Sequence, residues 1–338
     1  MKHDRIYKWA GAVFLILMVI LSLLFGLYLS RGGSAANQSI SSMTRVSVIL
    51  PHENDGYWEL IRDGIKEAEE ELGEENGIDI SILIPQLNYN VAQMIDLLKQ
   101  QIAARVDIIV VQGNGDEEFN STLEKAYSQG IKIICVDTDS AEAPRDLYIG
   151  TDNAAAGEML GEHLAELAGG RAKTAVISGE LGYPNLEQRL QAVEEVLKEY
   201  PEMEISSVSY DAYDGLTAMR LFHQKSEGAD ALLFLEGTGG TSLEKIYQEH
   251  SQEYEYILGF DAYEGVRKGV LDGIVKQDTH QMGRRVVEEI ARYIQEGSFS
   301  SERIYTDIYW MTSDNYEEIM MITDPGKLTE TLENEDTA

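Results

Sequence analysis

A chain of 338 residues exceeds what one ordinary core needs, and 43% hydrophobic with 25% charged residues is a globular composition, so two domains are expected. The 59 Asp and Glu against 27 Lys and Arg leave a formal net charge of -32, a surface that repels nucleic acid and phosphorylated solutes. The single cysteine, Cys135, excludes an internal disulfide, and its place in the apolar run IKIICV marks a small core residue rather than a reactive thiol.

Residues 1–9 carry Lys2, Arg5 and Lys8 and are followed by AGAVFLILMVILSLLFGLYL, residues 10–29, which holds no charge. That run has roughly the length needed to cross a bilayer core, and its basic flank places 1–9 in the cytoplasm and the remainder outside. A cleaved signal peptide is the rival, with SAA at 34–36 as a small-residue cleavage site. A secretory apolar region is shorter, about 7–15 residues, and Arg31 interrupts the approach to the site. No cysteine stands near the end of the run, which excludes a lipoprotein anchor. The expectation is an uncleaved single-pass anchor in the cell membrane, with everything after it extracytoplasmic. Residues 30–44, containing RGGSAANQSISSMT, read as a flexible linker with a reach of roughly 20 Å. Residues 324–338 read as an acidic tail.

From Arg45 the chain alternates between short β-branched runs and helical segments. RVSVIL (45–50), IDISILI (78–84), VDIIVV (106–111) and IKIICV (131–136) are continuous apolar runs, as expected for strands buried on both faces of a parallel sheet. YWELIRDGIKEAEEEL (57–72) and NVAQMIDLLKQQIA (90–103) read as helices; in the second, Val91, Met94, Ile95, Leu98 and Ile102 form one stripe. The pattern then restarts. TAVIS (174–178), MEISSVSY (203–210), ALLFL (231–235), YILGF (256–260) and DGIVKQ (272–277) are strand candidates, with LEQRLQAVEEVLKEY and LTAMRLFHQKS as helices between them. Two consecutive βαβ series predict an α/β chain of two doubly wound parallel-sheet domains. Right-handed crossovers put the loops after the strands on one edge of each sheet, so a ligand belongs in the cleft between the two edges.

Tests for chemistry mostly fail. QGNGDEE (112–118) lacks the third glycine of a dinucleotide fingerprint, and EGTGGTSLEK (236–245) lacks the lysine of a phosphate loop. The six histidines show no metal spacing, although His52 and His280 lie near loop ends and are candidates to touch a ligand. No G-x-S-x-G elbow occurs. A carboxylate pair at glycosidase separation stays open as a hydrolase reading, though the long loops that usually build such a cleft are absent. What remains is a set of strand-end side chains: Asp55, Tyr57 and Trp58; Gln112; Asp137; Tyr183, Asn185 and Arg189; Tyr210 and Tyr213; Glu236; Asp261; Gln277. Carboxylates and amides bridge adjacent hydroxyls, aromatic faces cover the C–H faces of a pyranose, and a site built this way rejects ligands without hydroxyls.

GFDAYEGVRKGVLDG (259–273), TDNAAAGEMLGEHLA (151–165) and GELGYPNLEQR (179–189) resemble the periplasmic sugar-binding proteins of the ribose and glucose/galactose type, whose fold is shared by lactose-repressor-type ligand domains. The similarity runs from about Arg45 to about Thr323. The resemblance implies a first-loop aspartate and stacking aromatic at Asp55 and Tyr57, and an amide at Gln112. It implies a polar ring, a short polar side chain and an arginine at Tyr183, Asn185 and Arg189, where the glucose/galactose branch has His and Asp at the first two. It also implies a second stacking ring at Tyr213, with Tyr210 competing, a strand-end aspartate at Asp261 and an amide at Gln277. Glu236 departs from the pattern, standing where the family commonly places asparagine, and leaves room for an amino sugar or another cation. The calcium loop of the glucose/galactose branch has no counterpart here, so no calcium and no cofactor are expected.

The resemblance further implies two lobes joined by three crossings, near Gly150, His280 and Tyr305: one lobe of 45–150 plus 281–305, the other of 151–280 plus 306–323. The expected function is a non-enzymatic, monomeric receptor that captures a monosaccharide-like solute by hinge closure for an ABC-type importer. The alternative is a membrane-tethered sugar sensor that presents its closed form to a histidine kinase. Either reading needs a membrane protein partner and no nucleic acid. A DNA-binding repressor is disfavoured, because an apolar run stands where a helix-turn-helix would be.

Overall fold

The computed structural model describes residues 43–53, 56–140, 142–179, 181–210, 228–237, 254–324 and 326–327. The folded unit begins at Thr44. The apolar run 10–29, the helix expected at LTAMRLFHQKS, Asp55, Tyr213 and most of the acidic tail lie outside the described residues. Among the described residues no helix is long and apolar enough to cross a membrane.

Two six-stranded sheets organise the unit. The first contains β1 (Thr44–Ile49), β2 (Ile78–Leu83), β3 (Ile108–Val111), β4 (Lys132–Asp137), β5 (Leu147–Gly150) and β11 (Arg303–Tyr305), in the order β11-β5-β4-β3-β1-β2. All its pairings are parallel. The second contains β6 (Arg171–Gly179), β7 (Glu202–Tyr210), β8 (Ala231–Phe234), β9 (Tyr256–Phe260), β10 (Gly273–Gln277) and β12 (Ile308–Met311), in the order β12-β10-β9-β8-β6-β7.

The continuous apolar strands are explained by helices on both faces. On one face of the first sheet, α1 (Gly56–Asn76) and α7 (Thr279–Glu296) cover Val46, Val48, Ile108 and Val110 with Trp58, Ile61, Ile65, Met282, Val286 and Ile290. On the other face, α2 (Val91–Ala104) and α3 (Glu117–Ser128) cover the alternate residues Ile49, Ile109, Val111 and Ile133 with Met94, Leu98, Phe119 and Leu123. The second sheet repeats the scheme. There α4 (Asn153–Leu167) and α5 (Pro184–Leu197) cover Val176, Leu233 and Leu258. The opposite face, with Ile177, Leu232, Phe234 and Ile274, packs on α6 (Tyr263–Arg267) and α8 (Tyr316–Thr323). Each fully buried aliphatic side chain of this kind contributes about 1.5–3 kcal/mol.

Helix starts follow the local chemistry. Asp116, Asp152 and Asp278 cap α3, α4 and α7 by accepting the backbone N–H of Phe119, Ala155 and Gln281. Pro184 stands in the first turn of α5, where no intrahelical donor is needed.

The chain passes between the sheets three times: after β5, after β10, and between β11 and β12. The second passage falls at Asp278, ahead of the boundary expected at 280, because α7 starts at Thr279 and already packs on α1. The expectation of two all-parallel sheets is corrected at one edge: β12 runs antiparallel to β10. The cause is the short link. Only Thr306 and Asp307 separate β12 from β11, which ends at the carboxyl edge of the first sheet, so the chain enters the second sheet from its carboxyl edge and runs backwards along it.

Candidate functional site

Two aspartates define the site. Asp137 ends β4 and Asp261 directly follows β9, strands that occupy the same place in the order of their respective sheets. Both adopt left-handed backbone conformations, with φ of 67° and 50°. Aspartate is among the few side chains that enter this region readily, and such outliers concentrate where a side chain must be aimed.

Around Asp137, the Tyr57 hydroxyl donates to Oδ1, while Gln112 Nε2 at 2.9 Å and the Thr138 hydroxyl at 2.7 Å donate to Oδ2. The Tyr148 hydroxyl donates to the Asp137 carbonyl at 2.8 Å. Asp137 is 6% exposed. Burial, then the charges of Asp137 and Asp261, hold the Tyr57 phenol well above its ordinary range, with Arg189 opposing. Tyr57 therefore stays a neutral donor, and it feels charges on both sheets at once.

Around Asp261, the Gln277 backbone N–H donates to Oδ1 at 2.9 Å and Gln277 Nε2 donates to Oδ2 at 2.5 Å. The amide oxygen of Gln277 accepts from Arg189 Nη2 at 2.8 Å and from the Thr151 hydroxyl at 2.6 Å. Thr151 follows β5 and Gln277 ends β10, so this bond ties the carboxyl edge of one sheet to that of the other. Arg189 is 2% exposed because it falls on the inner face of α5 with Leu186 and Val193. It also donates through Nε to Asn153 Oδ1 and through Nη1 to the Leu235 carbonyl, and its guanidinium lies 4.1 Å over the Phe260 ring.

Elsewhere the edges meet through glycine. A Cβ on Gly115, in the loop after β3, would lie 2.6 Å from the Gly182 carbonyl oxygen in the loop after β6. Beneath that loop, a Cβ on Gly179 would lie 2.5 Å from Cδ of Glu236, so the Glu236 carboxylate occupies space that only glycine leaves.

The remaining expected residues are placed differently. Trp58 is 2% exposed within the core of the first sheet, and its indole N–H donates to the Tyr89 hydroxyl at 2.9 Å. Tyr183 is buried in the core under α5. Asn185 lies in the first turn of α5, and among the described residues its buried Oδ1 has no hydrogen-bond donor. Tyr210 is exposed at the end of edge strand β7. His280 is turned away from the site: its Nε2 lies 2.9 Å from Glu67 on α1. His52 meets Asn88 and the Tyr89 ring. Cys135 is buried in the core, and burial pushes its thiol up to about 12. Among the described residues no group of three or more His, Cys, Asp or Glu side chains is arranged to hold a metal ion.

Residues 46–298 match the family described as periplasmic binding protein domain. The chain belongs to that family. Among its curated relatives is the D-apiose import binding protein of Actinobacillus succinogenes, 20% identical over 266 residues that make up 76% of this chain and 84% of the relative. Among solved structures, a glucose-galactose binding protein from Geobacillus stearothermophilus superposes with a TM-score of 0.72 at 24% identity, covering 80% of this chain and 98% of that one. An ABC transporter solute binding protein from Burkholderia graminis, in complex with D-arabinose, superposes with a TM-score of 0.73 at 23% identity, covering 82% and 98%. For this binding-protein chain these likenesses support the two-sheet fold; the sugars belong to the relatives.

Sequence reasoning missed five hydrogen-bonding residues of the site: Thr138, Tyr148, Thr151, Asn153 and Lys276, all buried. Thr151 and Asn153 stand in the TDNAAAG stretch that carried part of the resemblance. Lys276 had its own signal, a charge in the middle of the buried run GIVKQ.

Proposed function

We propose that the chain is the extracytoplasmic binding protein of an ABC-type sugar importer. It holds a neutral monosaccharide between the two strand-end clusters and closes over it. The observation that carries this reading is the pair of strand-end aspartates, Asp137 buried and Asp261 with only 8% of its side chain exposed, each held by an amide and each with acceptor capacity left. A carboxylate has about four acceptor positions. Among the described residues three donors reach Asp137 and two reach the oxygens of Asp261 by hydrogen bonds. Adjacent hydroxyls of a sugar fit the positions left over, and a ligand lacking them leaves two buried carboxylates poorly solvated. Tyr57 supplies a ring face beside Asp137, and Asp55 and Tyr213 extend the set by family resemblance.

Ligand binding favours the closed arrangement by its differential affinity for that state. A membrane permease then reads the closed form. The uncharged run 10–29 supports a membrane tether for the folded unit. The relatives' import of D-apiose and binding of glucose-galactose or D-arabinose support a small hydroxyl-rich ligand of the monosaccharide kind. The test is a thermal-shift screen of the full chain against neutral pentoses and hexoses, amino sugars, polyamines and sugar phosphates. A ligand at a hundredfold excess over Kd stabilises by about 2.7 kcal/mol. Stabilisation by a neutral monosaccharide that disappears in Asp261→Ala is the expected result. Stabilisation only by polyamines would overturn the reading.

A further inference from the structure

Lys276 sits in β10 with 2% of its side chain exposed. An ammonium taken out of water needs compensation nearby. Its Nζ donates to the Gln277 carbonyl at 3.1 Å, lies 3.8 Å from Asp261 Oδ1, and stands 6.0 Å from the centroid of the Tyr263 ring. It also acts on the Asp278 carboxylate at the start of α7. The hydrogen bonds to Asp261 come from neutral donors, the two N–H groups of Gln277. The other buried cation, Arg189, reaches Asp261 through the amide of Gln277. From the start of α1 the Tyr57 phenol feels the Asp261 charge, and in the loop after β8 Glu236 leads into Gly237, whose Cβ position would be 2.8 Å from Asp261 Cβ. Among the described residues Asp137 has no Lys or Arg ion-pair partner, so the two aspartates are electrostatically unlike.

We propose that Lys276 is a positioning and specificity residue: its buried ammonium, 3.8 Å from Asp261, offsets the charge of that carboxylate, which then accepts sugar hydroxyls without selecting a cation. The proposal rests on the sugar-binding reading of the cleft. It adds that the cleft is tuned to neutral sugars over amine-bearing ones by a residue that need not touch the ligand.

The experiment is a pH titration of the ligand-free full chain carrying 13C-carboxyl aspartate, in wild type, Lys276→Met and Lys276→Arg, with the Asp261 signal identified by its loss in Asp261→Asn. In Lys276→Met the Asp261 carboxyl is expected to bind protons about tenfold more tightly or better than in wild type, one pH unit or more; Lys276→Arg should titrate like wild type. A second arm measures binding of D-glucose and D-glucosamine. Lys276→Met should shift the ratio of affinities toward D-glucosamine by about tenfold. If Lys276→Met fails to fold, the pair Lys276→Met with Asp261→Asn, which removes both charges, should recover the folded state. An Asp261 titration unmoved by Lys276→Met, or no recovery in the double variant, overturns the proposal whether or not any sugar binds. A moved titration in a chain that binds neither sugar supports the role of Lys276 and counts against the sugar-binding reading alone.

Discussion

Asp137 and Asp261 close equivalent strands of the two sheets in the same uncommon left-handed backbone conformation. Replacing either with Asn keeps the shape and the left-handed tolerance but removes a charged acceptor. Hydrogen bonds to charged groups are worth about 1.5–3 kcal/mol, so each substitution should weaken ligand binding roughly ten- to hundredfold, read by calorimetric titration. Arg189 plays a different part. Its three described bonds go to protein acceptors, so Arg189→Ala strands Asn153, the Leu235 carbonyl and Gln277 in the interior. A stability loss of about 3 kcal/mol or more is expected in urea unfolding of the ligand-free protein. At this scale the sequence was readable where a buried run stops on a polar residue, as at Gln112, Asp137, Asp261 and Gln277. Thr151 and Asn153 were not readable, because a loop threonine or asparagine is usually solvated and only tertiary packing buries it; Lys276 carried a signal, a charge inside a buried run, that pointed to no role by itself. Trp58 was read from its loop position, but the first turns of α1 carry it inward.

The loops and helices set how closely the two edges approach. Gly115 touches the Gly182 carbonyl with no room for a side chain, so Gly115→Val should prop the edges apart. A smaller closed population lowers apparent affinity in proportion; about tenfold weaker binding is expected, with the ligand-free melting temperature little changed and small-angle scattering showing a more open form. On α4, His163 stacks on Trp310 of β12, with centroids 3.9 Å apart and planes 10° apart. Burial pulls the His163 imidazole below its ordinary 6.5, against the charges of Glu166 and Glu162. The folded chain therefore takes up this proton less readily than the unfolded chain. The resulting stability is complete above about 6.5 and declines as pH falls below it. His163→Phe should flatten that part of the melting-temperature profile. The long strands and the helices α1, α2 and α5 were legible from β-branched runs and apolar stripes. β5, β11 and β12 were not, because three or four residues with tyrosines and polar neighbours carry little periodicity, and the antiparallel course of β12 follows from a two-residue link between sheets.

The whole molecule carries a net charge of -32, which repels itself as well as anionic solutes. Raising salt from about 0.01 M to about 0.15 M shortens the Debye length from about 30 Å to about 8 Å, so the melting temperature should rise over that range. The same field disfavours sugar phosphates relative to neutral sugars. The α/β fold with two parallel-rich sheets was legible in the repeat of the strand–helix pattern, since right-handed crossovers force strand-end loops to one edge of each sheet. The identity of the ligand was not, because Glu236 and Lys276 add charges whose balance depends on where each is buried. The most direct measurement is therefore the thermal shift of wild type and Asp261→Ala with a panel of neutral pentoses and hexoses alongside their amine and phosphate counterparts. Stabilisation of wild type by a neutral monosaccharide, lost in Asp261→Ala, is the expected result. A shift produced only by charged ligands, or one that survives Asp261→Ala unchanged, would contradict a sugar site built on the two strand-end aspartates.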